Sequence, residues 1–200
     1  MSSHGIWYTG GTLHGCEHVM FDILAVKTVH DSCTSGFSTG KHLVIGMKIL
    51  FICTANICRS FMAERICKKK LADSNRTDIE VSSAALFDIE GLATDPHTVD
   101  LLEKNGFNGV GHRPSRLTSD MVETFDVLFV MERWQRKWLI SRYPHAGGKV
   151  FPLKPLSMGH TPLDGQDMYD IKDPYNRSSF YYRVCFAEIS LSIQELIKCI

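Results

Sequence analysis

The sequence predicts an α/β domain: a parallel sheet covered by helices on both faces. Three observations carry that reading. From residue 47 onward, short apolar, strand-forming runs alternate with helical patterns. The first of these runs ends in a cysteine, and a helix follows after a short loop, as in sheets whose active sites lie beyond the strands' carboxyl ends. Apolar content of 44% and charged content of 22% are ordinary for a globular chain, and 200 residues suffice for a sizeable core.

The elements follow in order. Residues 49–52 form the first strand, and a helix runs from Arg59 to about Leu71. Residues 79–82 are a short strand. Thr94-Asp95-Pro96 presents an N-cap and a proline in the first helical turn, and Gly106 ends that helix about one residue after Asn105. Thr118 or Ser119 caps a short helix to Thr124. Residues 127–131 are a third apolar strand, Glu132 opens a helix to about Arg142, and 149–151 are a fourth, short strand. A long loop rich in Pro, Gly and Asp spans 152–176. The last helix starts at Ser178 or Ser179 and carries Val184, Ile189, Ile193 and Ile197 on one face.

Residues 1–46 differ. They are rich in Gly, Ser, Thr and His and show no sustained period, so they read as a poorly ordered N-terminal extension to a domain over 47–200. They lack a basic segment followed by a compact apolar one, so no signal peptide is expected. The formal net charge is zero, from 22 basic and 22 acidic side chains, which gives no support for nucleic-acid binding. No apolar run approaches a bilayer span, so no membrane insertion is expected. Seven cysteines, an odd number in a chain this long, favour a reducing cytoplasm over an oxidised scaffold. Nine histidines offer no pair with ligand spacing and a third partner, so neither a metal nor a cofactor is expected.

The chemistry concentrates in Cys53-Thr54-Ala55-Asn56-Ile57-Cys58-Arg59-Ser60. Backbone N–H groups from Thr54 to Arg59 and the following helix N-terminus form a cradle for a tetrahedral oxyanion. Arg59 offers a bidentate fork for two of its oxygens. The same donors favour the thiolate of Cys53, a nucleophile placed against the phosphorus it helps to bind. Ser60 can donate to the sulfur, which makes it a better leaving group. Asn56 suits a left-handed backbone position. Asp173-Pro174-Tyr175, before the last helix, supplies a carboxylic acid on a mobile loop to protonate a leaving group, and Tyr175 a pocket wall.

Together these pieces resemble the low-molecular-weight protein tyrosine phosphatases over about 47–200. The matching segments are 52–60, Met62-Ala63-Glu64, Val81-Ser82-Ser83-Ala84, Gly111-His112-Arg113, 127–131 and Asp173-Pro174-Tyr175. The resemblance implies a three-layer α/β/α fold with a four-stranded parallel sheet and a phosphate-binding loop after the first strand. It implies Cys53 as nucleophile, Arg59 as phosphate clamp, and Asp173 as general acid and later base. It also implies that Asn56, Ser60, Ser83 and His112 brace the loop, and that Phe87 walls the substrate slot. In relatives the position of Cys58 can form a reversible disulfide with the nucleophile. The run from Asp173 to Ser178 is most similar to bacterial members linked to tyrosine kinases of exopolysaccharide production. The implied partner is thus a phosphotyrosine protein, in the narrower case an autophosphorylating tyrosine kinase.

Three other functions share parts of this pattern. A thiol-dependent arsenate reductase on this fold needs relay cysteines after the second strand, and 81–130 contain none. Arginine phosphatases on this fold carry a threonine where this chain has Ile57, and isoleucine favours a flat aromatic substrate. A non-catalytic phosphate-binding module would not need Cys53, Arg59, Ser60 and Asp173 together. The chain also departs from the family's pattern. Ala55 stands where glycine is usual, a cost of roughly 1 kcal/mol if φ there is positive. Phe61 replaces a common proline, and Asn176 replaces a second tyrosine of mammalian members. Glu64 reads as a solvated or capping carboxylate, and Trp134 with Trp138 as a packing stripe.

Overall fold

The computed structural model describes residues 46–88, 90–154 and 169–200. The expected extension, as far as residue 45, and residues 155–168 of the long loop lie outside them. Strand β1 covers Met47–Cys53 and helix α1 Arg59–Asp73; β2 is Ile79–Ala85, α2 Pro96–Lys104, α3 Ser119–Thr124, β3 Val127–Val130 and α4 Arg133–Arg142. A 3₁₀ turn over Pro144–Lys149 precedes β4, Val150–Pro152, and α5 is Ser179–Cys199. The fourth strand starts one residue later than the sequence suggests. Lys149 instead closes the 3₁₀ turn and donates its ammonium to the carbonyls of Glu123 and Phe125, at 3.1 and 2.9 Å.

The four strands form a parallel sheet in the order β2-β1-β3-β4. From β1 the chain goes outward on one side to β2 and then returns to the other side for β3. That reversal leaves a crevice beyond the carboxyl ends of β1 and β3, where α/β sheets bind ligands. Cys53, the last residue of β1, opens onto it.

Strand periodicity divides the core in two. Ile49, Phe51, Val127 and Phe129 face one layer with Phe61, Met62, Ile66, Tyr182, Cys185, Ile189 and Ile193. Leu50, Ile52, Leu128 and Val130 face the other with Val122, Leu139 and Val150. Helices α1 and α5 thus cover one face, α3 and α4 the other, which is the expected three-layer arrangement. Helix α5 turns differently from expectation. Its buried residues are Tyr182, Cys185, Ile189, Ser192, Ile193 and Leu196, and Val184 lies outside at 39% exposure. The polar Tyr182 and Ser192 complete the buried stripe that an apolar-only reading assigned to Val184. Cys67 and Cys185 are buried free thiols within the first core. No helix among the described residues is long and apolar enough to cross a membrane.

The caps follow the sequence. Asp95 Oδ2 accepts from the backbone N–H and the hydroxyl of Thr98, both at 2.8 Å, and Pro96 occupies the first turn of α2. Gly106, at φ 78°, follows the last turn in the left-handed conformation that glycine tolerates. Thr118 caps α3 by accepting from Met121 N at 3.2 Å. Asp95 also reaches beyond its own helix. Its Oδ1 accepts from Tyr182 Oη of α5 at 3.3 Å, and its backbone N–H donates to Ile57 O in the loop after β1 at 3.3 Å. One buried carboxylate therefore ties α2 to α5 while its main chain holds the loop. Asp95→Ala is expected to lower the unfolding free energy by about 2 kcal/mol in urea titrations. Tyr182→Phe, which leaves the cap intact, should cost about half of that.

Candidate active site

The loop between β1 and α1 is shaped by Asn56. It adopts φ 56°, is fully buried, and uses every polar atom of its side chain. Its Nδ2 donates to Ser60 Oγ and Ser83 Oγ, both at 2.8 Å, and its Oδ1 accepts from Ser115 N at 3.0 Å. Its carbonyl accepts from His112 Nε2 at 2.8 Å, and its own N–H points at Cys53 Sγ, 3.3 Å away. Ala55 has no left-handed backbone, so the cost expected for replacing glycine there does not arise. The loop takes its one positive φ at Asn56 instead.

Ser60 Oγ accepts from Asn56, which leaves its own proton for Cys53 Sγ at 3.0 Å. Ser83 likewise accepts from Asn56 and donates to Glu64, which takes a second bond from Lys68 Nζ at 2.5 Å. The resulting chain runs Lys68, Glu64, Ser83, Asn56, Ser60, Cys53. Glu64 is 7% exposed and completes this relay, so it is not the solvated carboxylate that the sequence suggested. Its position on α1 faces β2, a contact that sequence spacing does not reveal. Phe61 fills the place of the missing proline by stacking on His112, with centroids 4.0 Å apart and planes at 13°.

Arg59 is 1% exposed and held on both sides. Nη1 donates to Glu132 Oε2 at 2.7 Å and to Ile171 O at 3.0 Å. Nη2 donates to Thr54 Oγ1 at 3.2 Å and to the carboxylate of Asp173. Burial alone would lower the guanidinium's pKa, but the charges of Cys53, Asp173 and Glu132 outweigh it and hold it above its ordinary value. Nη1 is committed to protein acceptors. Nη2 bonds Thr54 of the loop and the half-exposed Asp173.

The segment carrying Asp173 is anchored at its stem. Ile171 N donates to Met131 O at 2.8 Å, continuing from the end of β3. Asp170 accepts from Arg133 N at 2.9 Å and from its guanidinium at 3.2 Å, at the start of α4. Burial would raise the Asp170 carboxyl, but the Arg133 bonds prevail and hold it below the usual carboxylate range. Asp173 Oδ1 accepts from Tyr175 N at 3.1 Å. Asp173 thus stands over the guanidinium on an anchored arm.

The structure brings together nearly every residue singled out from sequence. Cys53, Thr54, Asn56, Arg59, Ser60 and Asp173 meet around one point, and Ser83 with His112 braces it from behind. Ile57 is 6% exposed and packs mainly into the core. Cys58 is 2% exposed, and its burial pushes the thiol's pKa well up. Phe87 and Tyr175 are 41% and 46% exposed at the rim. Beyond the residues that the sequence points to, Glu132, Gln135, Ser115, Asp170, Lys68 and Ile171 take part. Gln135, fully buried, accepts from Met131 N and Glu132 N and donates to Thr54 Oγ1 at 3.3 Å. The only sequence signal for it is glutamine three residues after Glu132, at the start of a helix. Among the described residues no cluster of His, Cys, Asp and Glu could hold a metal ion.

Burial lowers the pKa of His112 from its ordinary 6.5, against the Asn56 carbonyl, which raises it. A histidine held neutral in the fold takes up its proton more readily when unfolded. Its contribution is therefore complete above the unfolded pKa, near 6.5, and is lost as the pH falls through and below it. His112→Gln, which keeps a donor for Asn56 O, is expected to flatten the loss of stability between neutral and mildly acid pH. Parallel curves of unfolding midpoint against pH for the two proteins would contradict this.

Comparison with known proteins agrees with this geometry. The model of the low molecular weight phosphotyrosine protein phosphatase family matches residues 48–200. A probable low molecular weight protein-tyrosine-phosphatase, EpsP, of Ralstonia nicotianae is 31% identical over 129 residues, 64% of this chain and 79% of that protein. A protein-arginine-phosphatase of Geobacillus stearothermophilus is 31% identical over 151 residues, 76% of this chain and 94% of its own. The solved low molecular weight protein tyrosine phosphatase of T. tengcongensis superposes with a TM-score of 0.68 at 32% identity, covering 77% of this chain and 99% of that one. The chain thus belongs to the low molecular weight phosphotyrosine protein phosphatase family.

Proposed function

We propose that this phosphatase hydrolyses phosphotyrosine in proteins in two steps at Cys53. The observation that carries the reading is the convergence of the Cys53 sulfur, the Arg59 guanidinium and the Asp173 carboxyl on one loop. In the first step the Cys53 thiolate attacks phosphorus. An S–P bond forms and the bond from phosphorus to the phenolic oxygen breaks. Asp173 gives its proton to that oxygen, so tyrosine leaves neutral. In the second step Asp173 takes a proton from water, whose oxygen attacks phosphorus, and the S–P bond breaks. Ser60 steadies the departing thiolate, and inorganic phosphate leaves. Arg59 and the loop N–H groups stabilise the charge on the equatorial oxygens in both steps.

The contact between Arg59 and Asp173 fits this sequence of events. A phosphate dianion claiming Nη2 would displace the Asp173 oxygen from it. Freed from Nη2, the Asp173 carboxyl would be available to the leaving-group oxygen.

A phosphotyrosine substrate is favoured by the apolar and aromatic lining. Ile57 offers no hydroxyl, and Phe87 and Tyr175 stand exposed at the rim as walls for a flat ring. In this reading Thr54, Ala55, Asn56, Ile57, Cys58 and Ser60 form the substrate-binding loop. The physiological substrate is a phosphotyrosine protein of the cytoplasm. The narrower candidate, an autophosphorylating tyrosine kinase of exopolysaccharide production, rests on the resemblance of the segment after Asp173.

Purified protein is expected to cleave phosphotyrosyl peptide and leave phosphoarginyl peptide nearly untouched. Cys53→Ser should abolish turnover, and retained turnover would remove Cys53 from the mechanism. Asp173→Asn should slow phosphotyrosine cleavage by about 10²-fold or more, but cleavage of esters with activated leaving groups far less. Equal losses on the two substrates would remove Asp173 from the acid role.

A further inference from the structure

Trp134 and Trp138 do not form a single packing stripe. Trp138 is partly buried against the second core, whereas Trp134 is 41% exposed. Trp134 stacks nearly parallel to Phe87, with centroids 6.1 Å apart and planes at 10°, and Trp138 meets the same phenyl ring edge-on at 5.6 Å. Phe87 is therefore oriented by one indole face and one indole edge.

The main chains of this cluster are tied to the catalytic loop. Phe87 N donates to Thr54 O at 3.2 Å. Trp134 lies between Glu132, which holds Arg59 at 2.7 Å, and Gln135, which holds Thr54 at 3.3 Å. The two exposed rings thus start at the Thr54 edge of the phosphate-binding loop. Stacking holds Phe87 against the indole, and the two half-exposed rings together offer one apolar surface. A phosphotyrosine ring seated against Phe87 would leave the Trp134 surface to the residue next to it in the peptide.

We propose that Trp134 is a specificity-determining residue: with Phe87 it forms a two-ring wall that selects phosphotyrosines flanked by an apolar side chain. This rests on the phosphotyrosine reading above. Burying a leucine-sized side chain against the indole, compared with placing a carboxylate there, favours the apolar neighbour in kcat/KM by about tenfold or more.

The test uses the full chain and two phosphotyrosyl peptides that differ only in the residues on either side of the phosphotyrosine, leucine in one and aspartate in the other. The wild type is expected to prefer the leucine peptide by about tenfold in kcat/KM. Trp134→Ala should reduce that ratio to about twofold, and Trp134→Phe, which keeps a ring, should retain most of it. In the Cys53→Ser background, the leucine peptide should shift the tryptophan emission, and Trp134→Phe should remove that shift. A Trp134→Ala protein that loses rate on both peptides by the same factor would overturn the proposal, because it would leave Trp134 a merely structural role. A wild type that cleaves both peptides equally would overturn it alone. A wild type that cleaves neither, yet turns over a simple aryl phosphate, would overturn the phosphotyrosine reading and this inference with it.

Discussion

The site depends on one left-handed residue. A loop that turns its N–H groups inward must reverse direction within a few residues, and Asn56 supplies that reversal at φ 56°. Glycine could adopt the same backbone but would leave the core of the loop without polar partners. Asparagine tolerates the conformation and its amide then satisfies three neighbours. Because those neighbours come from α1, β2 and the segment before α3, the loop's shape is set by three parts of the chain at once. Ser60 and Ser83 can each receive only because each has an acceptor of its own, the Cys53 sulfur and Glu64. The thiol environment and the fold on the far side of β2 are thereby joined in one network whose donors run outward in both directions from the Asn56 amide, to Ser60 and Cys53 on one side and to Ser83 and Glu64 on the other.

Arg59 poses the opposite problem, a cation withdrawn almost completely from water. Such a charge persists only when carboxylates and carbonyls replace its hydration. Glu132, Ile171 and Asp173 do so, and each belongs to a different segment. The division of labour follows from geometry. Glu132 is the N-cap of α4, whose first turn is held by Gln135 and Asp170, so its carboxylate is fixed by the fold. Asp173 extends beyond the anchored stem and is 43% exposed on its side chain, so its contact is the exchangeable one. A clamp with one fixed and one replaceable partner is ready for an incoming anion without leaving a bare buried charge.

Much of this was legible in the sequence, for local reasons. The loop residues are contiguous, the caps at Asp95 and Thr118 are set by residues three positions away, and apolar runs mark the strands. Contacts made by tertiary packing were not. Glu132 lies 73 positions from Arg59 and reads as an ordinary helix start, and Glu64 on α1 gives no sign that Ser83 will lie opposite. The indoles of Trp134 and Trp138 share helical spacing, but both meet Phe87, which follows β2 and is held by its N–H to Thr54 O, a contact that spacing along the helix does not show. Val184 failed as a core residue because an apolar-only pattern cannot see that Tyr182 buries its ring and sends its hydroxyl to Asp95.

The placement of the acid and of the clamp then have a common origin. Ile171 donates its N–H to Met131 and accepts from Arg59 at its carbonyl, so one residue links the end of β3 to the guanidinium. Asp173 follows two residues later, too close for the acid to move far from the clamp. Asp173 and the Arg59 guanidinium are therefore positioned against each other by the same short segment. In a site built this way, an anion that reached Nη2 would compete with the Asp173 oxygen for the same N–H groups, while Nη1 stayed with Glu132 and Ile171.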